Sequence, residues 1–115
     1  MRKENSTNTL NKQRIERNCG MSYTLTAIGG RWKPAILWRL WHGKMRYSAL
    51  RDSIPEVTER MLVLQLREME KDGLIKRIVY AEVPPRVEYE LTTKGNSLKP
   101  VLKSLSDWGV KNRIS

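Results

Sequence analysis

Apolar positions recur along most of this chain, and their spacing changes from helical to alternating and back to helical. Residues 1–12 are polar and carry no period, which predicts a loose arm. "MSYTLTAIGG" reads as a short helix closed by Gly29 and Gly30. In "RWKPAILWRLWHG", Pro34 suits a first turn and Gly43 an end. At about 100° per residue, Ile36, Leu37, Leu40 and Trp41 share one face, with Trp32 and Trp38 flanking it. A helix apolar nearly all round belongs to the core or is shared with a partner subunit. The core reading is favoured, because aromatics at helical spacing more often fill a core than hold a cofactor.

"MRYSALRDSIP" begins extended and turns helical from Ser48 to about Ser53, and Pro55 and Glu56 make a turn. Thr58 is a suitable N-cap for the longest helix, "TERMLVLQLREMEKDG", which Gly73 terminates. The period then shortens to two. Strands are predicted at Ile75–Tyr80 and Arg86–Leu91, the second alternating Val87, Tyr89 and Leu91 with Glu88 and Glu90. The loop "AEVPP" between them has a hairpin's length. Its prolines cannot donate ladder hydrogen bonds, so pairing ends before them and the tip is stiff. Thr92 or Thr93 caps a return to helix, whose apolar stripe is Leu98, Val101, Leu102, Leu105 and Trp108. One chain of this size has little surface to bury both that stripe and the tryptophan helix, so the stripe is expected at a dimer interface.

Two helices across a tight turn, followed by a hairpin, describe a dimeric winged helix-turn-helix: mainly α with a small β-hairpin, an α+β fold. The expected division is a flexible basic arm at 1–18, a DNA-binding and dimerisation domain at 19–110, and a tail at 111–115. The 115 residues suffice for one core. No apolar run reaches the roughly 18 residues of a membrane span, and the amino terminus has no secretory h-region. Cys19 is the single cysteine, which excludes an internal disulfide and fits a reducing cytoplasm.

Charge changes the picture most. The net charge is +10, which favours a polyanionic partner over a neutral one, though simple solubility would also explain it. The excess sits in the end segments, while the long helix is slightly acidic overall. That helix has nonetheless sorted its cations. With Leu62, Leu66 and Met69 as the inner stripe, Arg60, Leu64, Arg67 and Lys71 fall together on the opposite side, and Glu59, Glu68 and Glu70 on the flanks. A major-groove helix needs such a face, although an ordinary solvated face laced with ion pairs has the same pattern. Val63 and Leu64 are apolar beside it, suited to a thymine methyl. Arg46, Tyr47 and Ser48 supply donors of the phosphate-binding kind, with Lys44 and Arg51 near them. Arg86 is the cation beside the hairpin prolines. If Glu88 and Glu90 face Lys76 and Arg77 across the hairpin, Arg86 is left as the wing's one free cation.

Catalysis finds no support. One histidine and one cysteine offer no metal-ligand spacing, and "IGGRWK" lacks the spacing of a phosphate loop. His42, before Gly43, suits a helix C-terminus. No catalytic residue, metal or cofactor is expected. Cys19 follows Arg14 and Arg17, whose charge would favour its thiolate; the plainer reading is a small buried hydrophobe.

These residues carry a resemblance. "IGGRWKPAIL", "RYSALRDSIPEVTERML", "LREMEKDGLI", "VYAEVPPRVEYELTTKG" and "SLKPVLKSLSDWG" together resemble the HxlR-type bacterial transcriptional regulators, related in architecture to the MarR group, from about Cys19 to Gly109. The resemblance implies a homodimer joined by its terminal helices. The helix Thr58–Asp72 would enter the major groove of a palindromic operator, with Tyr80–Arg86 as the wing. It also implies a candidate redox sensor at Cys19, since some relatives sense oxidants or electrophiles there. The chain departs from the family at Val63 and Leu64, apolar where relatives are commonly polar, and at Gly20, where proline often follows the cysteine.

The expected DNA-binding set is therefore Arg46, Tyr47, Ser48, Thr58, Glu59, Arg60, Val63, Leu64, Arg67 and Arg86. The expected function is a cytoplasmic, sequence-specific regulator, more simply a repressor than an activator. Its partners are double-stranded operator DNA and a second copy of itself, with no membrane and no named effector. The alternative is a dimeric protein-interaction module that keeps the fold without reading sequence.

Overall fold

The computed structural model describes residues 19–113. The expected arm at 1–18 and the last two residues lie outside them. The chain divides into two compact units, one ending at Gly30 and the other beginning at Arg31. The first holds α1, Gly20–Ile28, with Cys19 as its N-cap. Of the two glycines expected to close this helix, Gly30 has the positive φ of +84°.

The second unit runs through α2 (Trp32–Arg39), a 3-10 turn (Leu40–His42), β1 (Met45–Arg46), α3 (Tyr47–Ser53), α4 (Glu59–Lys71), β2 (Ile75–Tyr80), β3 (Arg86–Leu91), α5 (Thr93–Asn96) and α6 (Lys99–Asn112). Pro34 lies in the first turn of α2, where its missing N–H is harmless. Ile36, Leu37 and Leu40 are fully buried, whereas Trp38 is 42% exposed and packs at a tilt against Trp41, 5.1 Å between centroids. Gly43, at φ +140°, then turns the chain into β1.

α4 begins as its sequence specifies. Thr58 Oγ1 accepts a hydrogen bond from the Met61 amide at 3.1 Å, relieving one donor that the helix itself cannot satisfy. Leu62, Leu66 and Met69 are buried, and α4 packs on α2 and β2. Gly73, at φ +78°, ends it.

The two predicted strands form with the predicted bounds and five-residue connection. The sheet has a third strand that the hairpin pattern did not show. β1 pairs with β3 through Met45 opposite Tyr89 and Arg46 opposite Glu88, so the order is β1-β3-β2 and β3 is central. Tyr89 and Leu91 face the core.

The last helical stretch is broken, not continuous. Thr92 Oγ1 caps α5 by accepting from the Gly95 amide at 3.1 Å. Pro100 then restarts the helix in the first turn of α6. Gly95 sits against the Leu74 carbonyl, where a Cβ would overlap the oxygen. Of the expected stripe, Leu102 alone is buried; Leu98 is half-buried at the N-cap, and Val101, Leu105 and Trp108 are exposed. α6 runs to Asn112, past the boundary expected at 110.

Two substitutions test this framework by chemical denaturation. Gly95→Ala should cost about 1–3 kcal/mol through overpacking at the Leu74 carbonyl. Thr58→Ala should cost about 1 kcal/mol through the lost cap. In both, the midpoint should fall without a change in m-value.

Candidate nucleic-acid interface

Burial of one side of α4 decides what its other side presents. With Leu62, Leu66 and Met69 inward, Arg60, Leu64, Arg67 and Lys71 all stand in solvent, Leu64 at 47% exposure. The ion pairs that an ordinary solvated helix face would use are not made here. Among the described residues, no carboxylate lies within 4 Å of Arg60, Arg67 or Lys71, and the helix's one salt bridge joins Glu68 to Lys33 of α2 at 2.9 Å. The outward cations are therefore available to an external anion.

Beside this face lies an open groove of about 780 Å³, walled by α4, the start of α3 and the hairpin. It gathers Arg46, Tyr47, Ser48, Val63, Arg67 and Arg86 from the expected set. Thr58, Glu59, Arg60 and Leu64 lie outside its lining. Thr58 is spent on the cap. Glu59 is turned toward Tyr47, whose hydroxyl is buried without a hydrogen-bond partner; burial first, then that carboxylate, push the phenol's pKa up.

The groove also uses residues that the sequence pattern did not single out as site residues. Arg77, directly opposite Tyr89 in the register, lines it with Glu70 and Glu82. Burial raises the Tyr89 pKa, while the nearby Arg77 lowers it. Alternation on β2 was the available signal for Arg77: it falls on the same side of the hairpin as its partner Tyr89.

The wing's charge arrangement differs from the expected one. Lys76 does pair with Glu90, its cross-strand partner, at 3.1 Å. Glu88, however, faces Ile78 rather than Arg77. It accepts from Tyr80 Oη at 3.0 Å and lies 3.9 Å from Lys44 Nζ. Lys44 in turn donates to Tyr80 Oη at 3.3 Å, and that bond, then the charge of Tyr80 and after it that of Glu88, raises its pKa. Arg86 is not the wing's free cation. Its Nη2 is 3.1 Å from Glu82, its Nε 3.7 Å from Glu88, and its guanidinium lies 4.0 Å over the Tyr80 ring. The cause is the register: Tyr80 and Arg86 are the last pair before the turn, so the guanidinium lands on the ring.

Cys19 is partly exposed, not a buried hydrophobe. Cys19 makes no side-chain cap hydrogen bond, but its pKa is lowered by the neighbouring Ser22, hydroxyl first and amide second, and by the Met21 amide. A thiol at a helix start gains this from unsatisfied amides. Arg14 and Arg17, the expected cause, lie outside the described residues. His42 is exposed in the 3-10 turn. Among the described residues no group of three or more His, Cys, Asp or Glu could hold a metal, and no helix is long and apolar enough to cross a membrane.

A tight helix pair, an outward cationic helix face and a hairpin wing define a winged helix-turn-helix DNA-binding transcriptional regulator. The sequence model of the HxlR-like helix-turn-helix family matches residues 27–114, and the chain belongs to that family. It is 50% identical over 93 residues to the uncharacterized HTH-type transcriptional regulator YdeP of Bacillus subtilis strain 168, covering 81% of this chain and 73% of YdeP. Among solved structures it is similar to the redox regulator HypR in its oxidized form, at TM-score 0.79 and 44% identity, covering 84% of this chain and all of that one. It is also similar to a putative HTH-type transcriptional regulator, ytcD, at TM-score 0.76 and 51% identity, covering 82% and 98%.

Alkylation of Cys19 by iodoacetamide across pH tests the thiol's setting. The reaction should half-saturate at a lower pH than for an unstructured cysteine peptide. Ser22→Ala should move that midpoint upward.

Proposed function

We propose that the chain acts in the cytoplasm as a homodimeric repressor that reads a palindromic operator with α4 and flanks it with the wing. The observation that carries this is the line of Arg60, Arg67 and Lys71, exposed and, among the described residues, without a carboxylate partner, opposite a fully buried stripe. Arg60 and Arg67 serve as readers of base edges, with Leu64 and Val63 beside them for thymine methyls. Arg46 and Ser48 hold phosphates at the groove, and Tyr47 braces its wall. Promoter occlusion is the simplest mechanism for such a protein, and no cofactor enters it.

The second copy is supported by α6. Leu105 at 51% and Trp108 at 70% exposure extend, with Val101, a stripe that one chain leaves uncovered. Burying such residues contributes about 25 cal/mol per Å² of apolar surface, a strong drive to self-association. Two copies would set two α4 helices about one turn of DNA apart, roughly 34 Å.

Regulation through Cys19 is supported by its part-exposed, lowered-pKa thiol and by the likeness to a redox regulator. With one cysteine per chain, oxidation leads to an intermolecular or mixed disulfide or to another adduct.

Gel shifts with the region upstream of the chain's own gene test the reading. Wild type should prefer that duplex to random DNA, and Arg60→Ala should lower the preference by about tenfold. Equal affinity for both duplexes would leave the protein-interaction reading in its place. Leu105→Glu with Trp108→Glu should give a monomer by sedimentation and weaken operator binding. Diamide should release wild type from DNA and leave Cys19→Ser bound.

A further inference from the structure

We propose that Glu82 is an internal phosphate mimic: in the free protein its carboxylate occupies the position on Arg86 that a DNA phosphate takes in the complex. The proposal rests on the wing flanking DNA as described above. It concerns a residue that controls the wing, not the identity of the ligand.

Arg86 has three holders of unequal permanence. Glu88 has a side chain only 13% exposed and is itself held by Tyr80 Oη, so it stays where it is. The Tyr80 ring, 4.0 Å beneath the guanidinium, is fixed on β2 by the strand register. Glu82 differs from both. It sits in the five-residue turn, its side chain is 48% exposed, and it takes the outer nitrogen, Nη2, at 3.1 Å. The guanidinium thus lies on the Tyr80 ring with its buried Nε near the charge of Glu88 but without a hydrogen-bond partner among the described residues, and it is capped on its outer side by a replaceable anion.

A phosphate oxygen offers Nη2 the same charge-assisted N–H···O contact that Glu82 provides. Exchange therefore requires no new orientation of Arg86, because Tyr80 and Glu88 hold the plane already. What it requires is that Glu82 leave, and the departing carboxylate remains beside a phosphate of like charge. The wing's cation is in this way withheld from weak, passing contacts with polyanions. Exposed ion pairs of this kind are weak enough for a phosphate to replace them.

The expected signature is a gain of binding on removing a charge. Glu82→Gln should raise affinity for random duplex about twofold to fivefold at low salt. Its plot of log affinity against log salt should steepen by up to about 0.9, one additional phosphate neutralised. The same substitution in an Arg86→Gln background should give no gain, since the mimic has nothing left to release. Circular dichroism and gel filtration establish that each variant keeps its fold and assembly. An unchanged affinity and slope for Glu82→Gln would overturn the proposal. So would an equal gain in the Arg86→Gln background, which would mark a general effect of charge. Failure of wild type and every variant to bind any duplex would instead overturn the DNA reading itself, and this proposal with it.

Discussion

The stripe Leu62, Leu66 and Met69 is the constraint on which this molecule depends. Each of the three is fully buried, and together they set the rotation of α4 about its own axis. Burying side chains of this size contributes about 1.5–3 kcal/mol apiece. A turn of the helix by one residue position, about 100°, would exchange that burial for solvated leucines. Arg60, Arg67 and Lys71 are therefore held outward by hydrophobic burial on the far side, not by any contact of their own. Thr58 starts the helix and Gly73 stops it, so its length is determined locally.

The wing depends on α4 at one remove. The Leu74 amide bonds to the Met69 carbonyl at 2.9 Å, and Leu74 and Ile75 are buried, which ties β2 to the end of the helix. β3 is then held on both edges, by β2 along its length and by the two residues of β1. That second edge brings Arg46 and Tyr47 toward the hairpin and closes the third wall of the groove. Within the sheet, register converts a list of charges into specific partners: Lys76 finds Glu90, whereas Arg86 falls on Tyr80 and is taken by two carboxylates. Lys76 and Arg86 on the wing thus have local carboxylate partners, whereas, among the described residues, the outward cations of α4 have none.

A similar contrast holds between the two apolar helices. α2 turns its branched side chains inward and leaves Trp38 to the surface, where it packs at a tilt against Trp41. α6 contributes Leu102 to the core and keeps Val101, Leu105 and Trp108 outside it. One helix is a wall of the core and the other is an edge of it, although both read as apolar stripes.

Much of the fold was legible in order along the chain. Period, caps and breakers act over a few residues, so the bounds of both long strands, the Thr58 cap, the Gly73 stop and the inner and outer faces of α4 follow from sequence alone. The motifs that resemble the HxlR-type regulators pointed to the family in the same way. Tertiary structure decided what depends on distant partners. β1 is too short for a period, and exists because β3 has a free edge beside it. Gly95 fits inside α5 against the Leu74 carbonyl, a contact that composition does not announce. Arg86 looked free because Glu88 and Glu90 were assigned to Lys76 and Arg77, yet its neighbours in space are Glu82, Glu88 and Tyr80. Local preference is written residue by residue, whereas the partner of a charge is settled by which backbones lie side by side.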